Sequence, residues 1–439
     1  MRWIGAARVA LVLLALAGGP ALAAARMPDI LVEAAAEGDW TVRYDLAKPA
    51  AELAFQRSTD GSRVETWAAP AGFEIVRTTD GERARRRDGK PFRRVSFTVP
   101  PRYRELPKDY APFSPFGDGG MLVHSGRFFA CPMRCEDGAE WAMRLKPPAG
   151  ALVLLDGRRV GGEARWTDRD SGRNLYVGKA VPVESADLLA VIDTALPARI
   201  RGQLETQLPL FMHHFSERLG ALPAKPMLFA SYDLSHRTGQ GRQGGTLPGQ
   251  VFTHFYGAGW PERMASPSLG DELAWFFAHE AAHLYQRQIY GPDSADAWIH
   301  EGGADAFALL ALKDTVPGAA PKLHGLVEAN RTKCRKLLAG GSVRQAIEAG
   351  RFDAAYACGL LINLEIDREV RAARPDSDGL YAVWARYQDK VGRGEAPGEA
   401  LFLASVAELA GPELPRRLAA VLREADWDRL TLLQDARAP

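Results

Sequence analysis

The chain has 439 residues, with 55 Lys and Arg against 54 Asp and Glu, and is 46% hydrophobic and 9% aromatic. That balance excludes an intrinsically disordered chain, and a near-zero net charge supplies no long-range field for nucleic acid or an anionic membrane. Single cores stop growing at about 250–300 residues, so two or three domains are expected.

Residues 1–23 read as a secretory signal peptide: Arg2 and Arg8 form the positive region, 9–16 the apolar run, and Ala21-Leu22-Ala23 the small-x-small cleavage site. The alternative is an uncleaved anchor, but the apolar run is too short to span a bilayer, and no later stretch approaches about 18 apolar residues. The expected product is therefore exported, periplasmic or secreted, with no integral membrane segment after cleavage. Loss of Arg2 and Arg8 leaves 53 basic against 54 acidic residues, a charge of −1.

From 40 to 192, short alternating apolar runs are separated by the turn dipeptides Asp60-Gly61, Asp80-Gly81, Asp88-Gly89 and Asp156-Gly157, which predicts an antiparallel β domain over 24–196. Arg85, Arg86, Arg87, Arg93 and Arg94 are read as a solvated hairpin face rather than a polyanion patch, because Glu82 and Asp88 lie among them. The Pro-, Gly- and Phe-rich stretch 107–120 reads as an ordered loop without an assigned role. Cys131, Cys135, Cys334 and Cys358 allow three disulfide pairings. Their order suggests Cys131 with Cys135 and Cys334 with Cys358; half of a zinc site at Cys131 and Cys135 is the alternative, with no His or Cys nearby to complete it.

After Pro197 the pattern changes. Residues 198–219 have helical periodicity, 227–232 and 250–256 are candidate strands, and from 269 onward nearly everything reads as helix, punctuated by Gly340-Gly341, Arg374-Pro375, Gly392 and Gly411-Pro412. The apolar helical run 273–289 contains His279-Glu280-Ala281-Ala282-His283. Residues four apart on a helix lie about 40° apart around the axis and one turn along it, so both imidazoles can reach one ion. Zinc suits them: a catalytic zinc site takes three protein ligands and keeps one position for water. With nine histidines in the chain, a chance occurrence of this pattern is a real alternative, and the downstream context decides.

That context is Trp298-Ile299-His300-Glu301-Gly302-Gly303-Ala304-Asp305, with seventeen residues between His283 and Glu301. Glu301 supplies the carboxylate that completes a two-His, one-Glu site. Asp305, four residues later on the same face, is placed to accept from the far nitrogen of a ligating imidazole. His300 points about 100° away from Glu301 and is read as a supporting or surface residue. His236 and His254 are read as loop and strand residues with ordinary partners.

These segments resemble those of the gluzincin metallopeptidases, which include thermolysin-like endopeptidases and zinc aminopeptidases with a Trp-x-x-Glu-Gly-x-Ala segment. The matched positions are His279, Glu280, His283, Trp298, Glu301, Gly302, Ala304 and Asp305. The resemblance implies that His279, His283 and Glu301 bind Zn2+, that Glu280 is the general base, and that Asp305 orients a ligand His. Tyr356-Ala357-Cys358-Gly359 resembles the Tyr-x-Lys-Gly segment whose Tyr hydrogen-bonds the tetrahedral intermediate, with Cys358 in place of Lys. Helical geometry turns Cys358 about 200° from Tyr356, so a Cys334–Cys358 bridge would anchor the Tyr356 helix from behind. The resemblance covers 244–371. Its aminopeptidase members carry a Gly-x-Met-Glu-Asn strand whose Glu grips the substrate amine. Gly244 to Gln250 has no carboxylate, nor does any position between His236 and Gly259, so amine recognition by that route is not expected.

The expected architecture is α+β: an N-terminal antiparallel β domain, a thermolysin-like catalytic domain over 197–314 with a small sheet and the H-E-x-x-H helix, and a helical domain over 315–439 contributing Tyr356. The expected function is an exported zinc metallopeptidase acting on a peptide or protein substrate, with no nucleic-acid partner. Peptide binding is expected along the edge of a strand over 245–256, through Gly245, Thr246 and Leu247. The alternatives are a non-catalytic exported scaffold with a structural zinc, and a zinc hydrolase acting on a non-peptide amide or ester.

Overall fold

A computed structural model describes residues 27–57, 61–106, 110–233, 235, 239–287, 289 and 291–425. The signal segment, Asp60 and His236 lie outside them.

Three sheets build the N-terminal part. The first has the spatial order Ala164–Arg169, Glu140–Lys146, Asp29–Glu33, Trp40–Ala50, Phe92–Val99. All neighbours in it are antiparallel except Asp29–Glu33 with Glu140–Lys146, which pair in parallel. Turn dipeptides signal hairpins between strands adjacent in sequence, so this long-range parallel pair leaves no local trace. The turn at Asp156 (φ 49°) and Gly157 (φ 71°) has both central residues left-handed, the geometry of a tight two-residue hairpin. Trp141, Tyr44, Phe97 and Phe113 fill the interior. The basic hairpin is neutralised locally: Arg85 pairs with Glu74 at 2.9 Å and Arg86 with Asp88 at 2.6 Å, while Arg94 pairs with Asp45.

The sheet that carries the site has the order Val183–Glu184, Leu189–Ile192, Met227–Asp233, Gln250–Tyr256, Gly241–Leu247. Its three inner strands are mutually parallel and both edges are antiparallel. Every residue of Met227–Asp233 and Gln250–Tyr256 is buried, as expected of strands covered on both faces. Two of its strands come from before Pro197. Moreover, Phe116, Leu122, Leu154 and Tyr176 of the β-rich part pack against Leu189, Val191, Met227, Phe229 and Phe252. Within the stretch expected as a loop, Phe113–Pro115 is a short strand paired with Met121–His124, and Gly117 just beyond it reaches this junction, its amide donating to Asp193 at 2.7 Å.

Helix Ala198–Leu219 buries Ile200, Leu204, Leu208, Phe211 and Phe215, a stripe spaced three and four residues apart. The H-E-x-x-H helix is Leu269–Tyr285; Asp271 and Glu272 in its first turn complement the dipole of its amino end. Helix Ala297–Thr315 is buried at every residue from Trp298 to Leu312 except Glu301. It crosses helix Asp353–Ala373 very closely: a Cβ placed on Gly302 would lie 2.3 Å from the Cα of Gly359. Asn363 fastens the crossing, its Nδ2 donating to Trp298 O at 3.1 Å and to Gly359 O at 2.9 Å. Helices Leu380–Gly392, Glu399–Ala410 and Glu413–Glu424 complete the carboxyl-terminal layer. Disulfides join Cys131 to Cys135 and Cys334 to Cys358, the second tying helix Ala320–Leu338 to Asp353–Ala373. No helix among the described residues is long and apolar enough to cross a membrane.

Candidate metal centre and cleft

Helix Leu269–Tyr285 presents His279 and His283 one turn apart, their rings edge to face at 4.7 Å. Each imidazole is held by its Nδ1. His279 Nδ1 lies 2.8 Å from Asp305 Oδ1, and His283 Nδ1 lies 2.7 Å from Gln286 Oε1. The Gln286 assignment is fixed from its other side, because Gln286 Nε2 donates to His300 O at 3.0 Å. With both Nδ1 atoms donating, a neutral imidazole keeps its lone pair on Nε2.

Those two Nε2 atoms face each other at 3.1 Å, and Glu301 Oε2 stands 3.5 Å from His279 Nε2 and 3.3 Å from His283 Nε2. Among the described residues no other group of three His, Cys, Asp or Glu side chains converges this way, with its donor atoms within 4.8 Å of one another. Three lone-pair donors at such separations repel unless a positive charge sits among them. The titration behaviour expresses the same demand. Burial disfavours a charged His279, yet Asp305 and Glu301 outweigh it and raise its pKa to about 10. Burial would raise the Glu301 carboxyl, but the two imidazoles hold it well below its ordinary value. Two imidazoles and one carboxylate are a donor set that zinc accepts, with room for a fourth ligand.

Glu280 is half-buried beside the triad, its Oε2 accepting from the Thr246 hydroxyl at 2.6 Å; the same hydroxyl is 3.1 Å from the Glu280 carbonyl oxygen. Tyr356 lies over His279 with ring centroids 6.0 Å apart and planes 25° from parallel. Burial pushes its hydroxyl well above the ordinary tyrosine pKa and Glu301 adds to the shift, so it remains a protonated donor. His279, Glu280, Asp305 and Tyr356 line one cleft of about 690 Å³, which continues past Trp275, Phe276 and Arg242 on one side and Lys322 and Asn330 on the other.

The segment 245–256 is not one strand. Pro248 and Gly249 turn the chain between Gly241–Leu247, which is the sheet edge, and Gln250–Tyr256, which is interior. Only the first can pair with an added chain. Gly245, Thr246 and Leu247 lie on that edge strand, but the Thr246 side chain engages Glu280. His254 is carried to the opposite face of the sheet, where its Nδ1 lies 2.7 Å from Ser231 Oγ and its ring centre 4.2 Å from that of Tyr103, the planes tilted by 42°. His300 is buried against Trp384, and burial pulls its pKa down to about 4. Gln286 escaped the sequence reading; its spacing of three residues from His283 is the only local signal it leaves.

No protein-family model and no curated protein matches the chain. Solved structures do. An M1 zinc metallopeptidase from Deinococcus radiodurans is 17% identical, with a TM-score of 0.47 over 91% of this chain and 94% of that one. Native leukotriene A4 hydrolase from Saccharomyces cerevisiae is 13% identical, with a TM-score of 0.48 over 95% of this chain and 68% of that one. Likenesses this distant leave the chemistry to be derived from the chain's own side chains.

Proposed function

We propose that the protein is an exported zinc-dependent metallopeptidase. The observation that supports this most directly is the convergence of the two Nε2 lone pairs and the Glu301 carboxylate, at 3.1 to 3.5 Å, beside an open cleft that His279 and Glu280 line. His279, His283 and Glu301 would hold the ion. Bound there, zinc supplies a Lewis acid for the scissile carbonyl and lowers the pKa of a water ligand.

The chain's own groups do the rest. Glu280 takes the proton from the attacking water and delivers it to the departing amine. The Thr246 hydroxyl fixes which Glu280 oxygen is engaged, leaving the other to face the water. Tyr356 donates to the developing oxyanion, an interaction typically worth a few kcal/mol where water is excluded. The edge strand Gly241–Leu247 has a strand neighbour on one side only, so an extended peptide can add along its other side beyond Gly241, whose carbonyl accepts from Trp260 Nε1. A purely structural zinc would be closed by a fourth protein ligand; among the described residues the donor cluster has three members, and His279 borders the cleft. Export is supported by the signal-like 1–23 segment and by two disulfides, which persist in oxidising compartments.

The test is metal analysis of the mature protein together with a peptide-library digest, beside Glu280→Gln. The variant is expected to retain stoichiometric zinc and to lose at least roughly a hundredfold in turnover, the usual scale for a lost general base. Substantial residual hydrolysis rejects Glu280 as the base, and chelator-insensitive cleavage rejects the metallopeptidase reading. Mass analysis of the exported protein checks cleavage after Ala23.

A further inference from the structure

The strand edge that in zinc aminopeptidases carries an amine-gripping Glu carries a cation here. Along Gly241–Leu247, residues 242, 244 and 246 share one face, because side chains alternate along a strand. All three meet helix Leu269–Tyr285. Thr246 bonds Glu280, a Cβ on Gly244 would touch Phe276 Cζ at 2.9 Å, and the Arg242 guanidinium lies 4.6 Å from the centre of the Phe276 ring.

The other charges of the cleft are engaged. Lys322 pairs with Asp271 at 2.7 Å, Lys333 with Asp353 at 2.7 Å, and Glu272 with Arg263. Glu280 receives the Thr246 hydroxyl and, with Glu272, acts on Arg242 through space without a direct contact. Among the described residues Arg242 forms no ion pair: its guanidinium lies over the Phe276 ring, and the residue is exposed and lines the cleft. A guanidinium held by an aromatic face, with its hydrogen-bonding edge open, matches a carboxylate bidentately. It repels the ammonium that the aminopeptidase arrangement would bind.

We infer that Arg242 reads a carboxylate on the substrate, either an Asp or Glu side chain or the peptide's own carboxyl terminus; this rests on the peptidase reading above. The guanidinium stands over Phe276, one helical turn or about 6 Å along the axis from Glu280, and feels the charge of that carboxylate. An extended peptide advances about 3.3 Å per residue, so the recognised group sits about two residues from the bond beside Glu280.

The test uses the full mature chain, zinc-loaded, in the Glu280→Gln background, where peptides bind without turnover. Short peptides carrying a single Glu at each position in turn are compared with their Gln twins, with free and amidated carboxyl ends. One position, or the free end, is expected to bind roughly ten- to a hundredfold tighter than its neutral twin, the range of a charge-assisted bidentate contact. That ratio should collapse toward one on adding Arg242→Gln and recover in part with Arg242→Lys. Circular dichroism verifies that both variants fold. Equal binding of acidic and neutral twins, a ratio that survives Arg242→Gln, or binding of no peptide overturns the inference. The unsubstituted enzyme is assayed in parallel: no chelator-sensitive cleavage overturns the peptidase reading, while the binding ratio still judges Arg242 by itself.

Discussion

The crossing of helices Ala297–Thr315 and Asp353–Ala373 sets where Tyr356 stands, and it depends on two facing glycines. A Cβ on Gly359 would lie 2.9 Å from Gly302 Cα and from Trp298 O, and a Cβ on Gly302 would lie 2.3 Å from Gly359 Cα. Nonbonded carbon atoms are comfortable at about 3.5 Å, so Gly359→Ala must spread the helices by roughly 0.6 Å and Gly302→Ala by roughly 1.2 Å. The obstructing atoms are backbone, and no side chain can swing aside. Overpacking of this kind costs about 1–3 kcal/mol, offset in part by the roughly 1 kcal/mol that Ala gains over Gly inside a helix. Tyr356 lies one turn before Gly359 and moves with it, and displacements near 1 Å can cost about a hundredfold in rate. Both variants are expected to lose activity, Gly302→Ala more than Gly359→Ala, with Gly359→Ala retaining zinc because its helix bears no ligand. The assay is kcat/KM on a cleaved peptide, zinc content, and urea unfolding. Gly325→Ala, at an exposed helical site where a Cβ meets nothing within 4 Å, should instead stabilise by about 0.5–1 kcal/mol. Full activity and unchanged stability in Gly302→Ala would refute the reasoning.

Removing Gln286 tests the hold on the second imidazole: Gln286→Leu leaves His283 Nδ1 without its acceptor and is expected to weaken zinc binding by about 10–100-fold, read by competition with a chelating dye. An unchanged affinity would show that the contact does not orient the ring. Buried His214, whose Nε2 lies 2.9 Å from the Tyr381 hydroxyl, gives a pH signature: burial lowers its pKa from 6.5 to about 4, with nearby Arg218 adding to the effect. The unfolded chain therefore takes up the proton first, so the stabilisation is complete above about pH 6.5 and is lost as pH falls toward 4, on the order of 3 kcal/mol in all. Urea midpoints between pH 7 and 4 should fall less steeply in His214→Gln; parallel curves would contradict this.

The parts of the centre that follow from helical spacing were legible in the sequence. His279, Glu280 and His283 sit on one turn, and Glu301 and Asp305 on another, so their relative placement needed only the 3.6-residue repeat. What no local pattern carries is the approach of one element to another. Thr246 reads as an ordinary strand residue until its strand lies against the helix of Glu280, and only that docking brings its hydroxyl to the carboxylate. Arg242 gains its meaning from Phe276, a partner 34 positions away in the chain. The segment 250–256 reads as a strand, yet which of two adjacent strands takes the edge depends on the order of pairing. His254 shows the same limit from the other side, since reading it as a strand residue left open which face it would occupy. The parallel pairing of Asp29–Glu33 with Glu140–Lys146 spans more than a hundred residues and leaves no turn signal to read.

The position of Leu189–Ile192 beside Met227–Asp233 bears on how the molecule can be dissected. A shortened version starting at Pro197, where sequence texture changes, would strip the neighbour from Met227–Asp233 and lay bare a row of amides along an apolar ribbon. Such a fragment would be a template for self-association, and its silence in an assay would say nothing about the zinc chemistry. Expression trials aimed at the hydrolytic half should therefore begin upstream of Val183, or keep the chain whole.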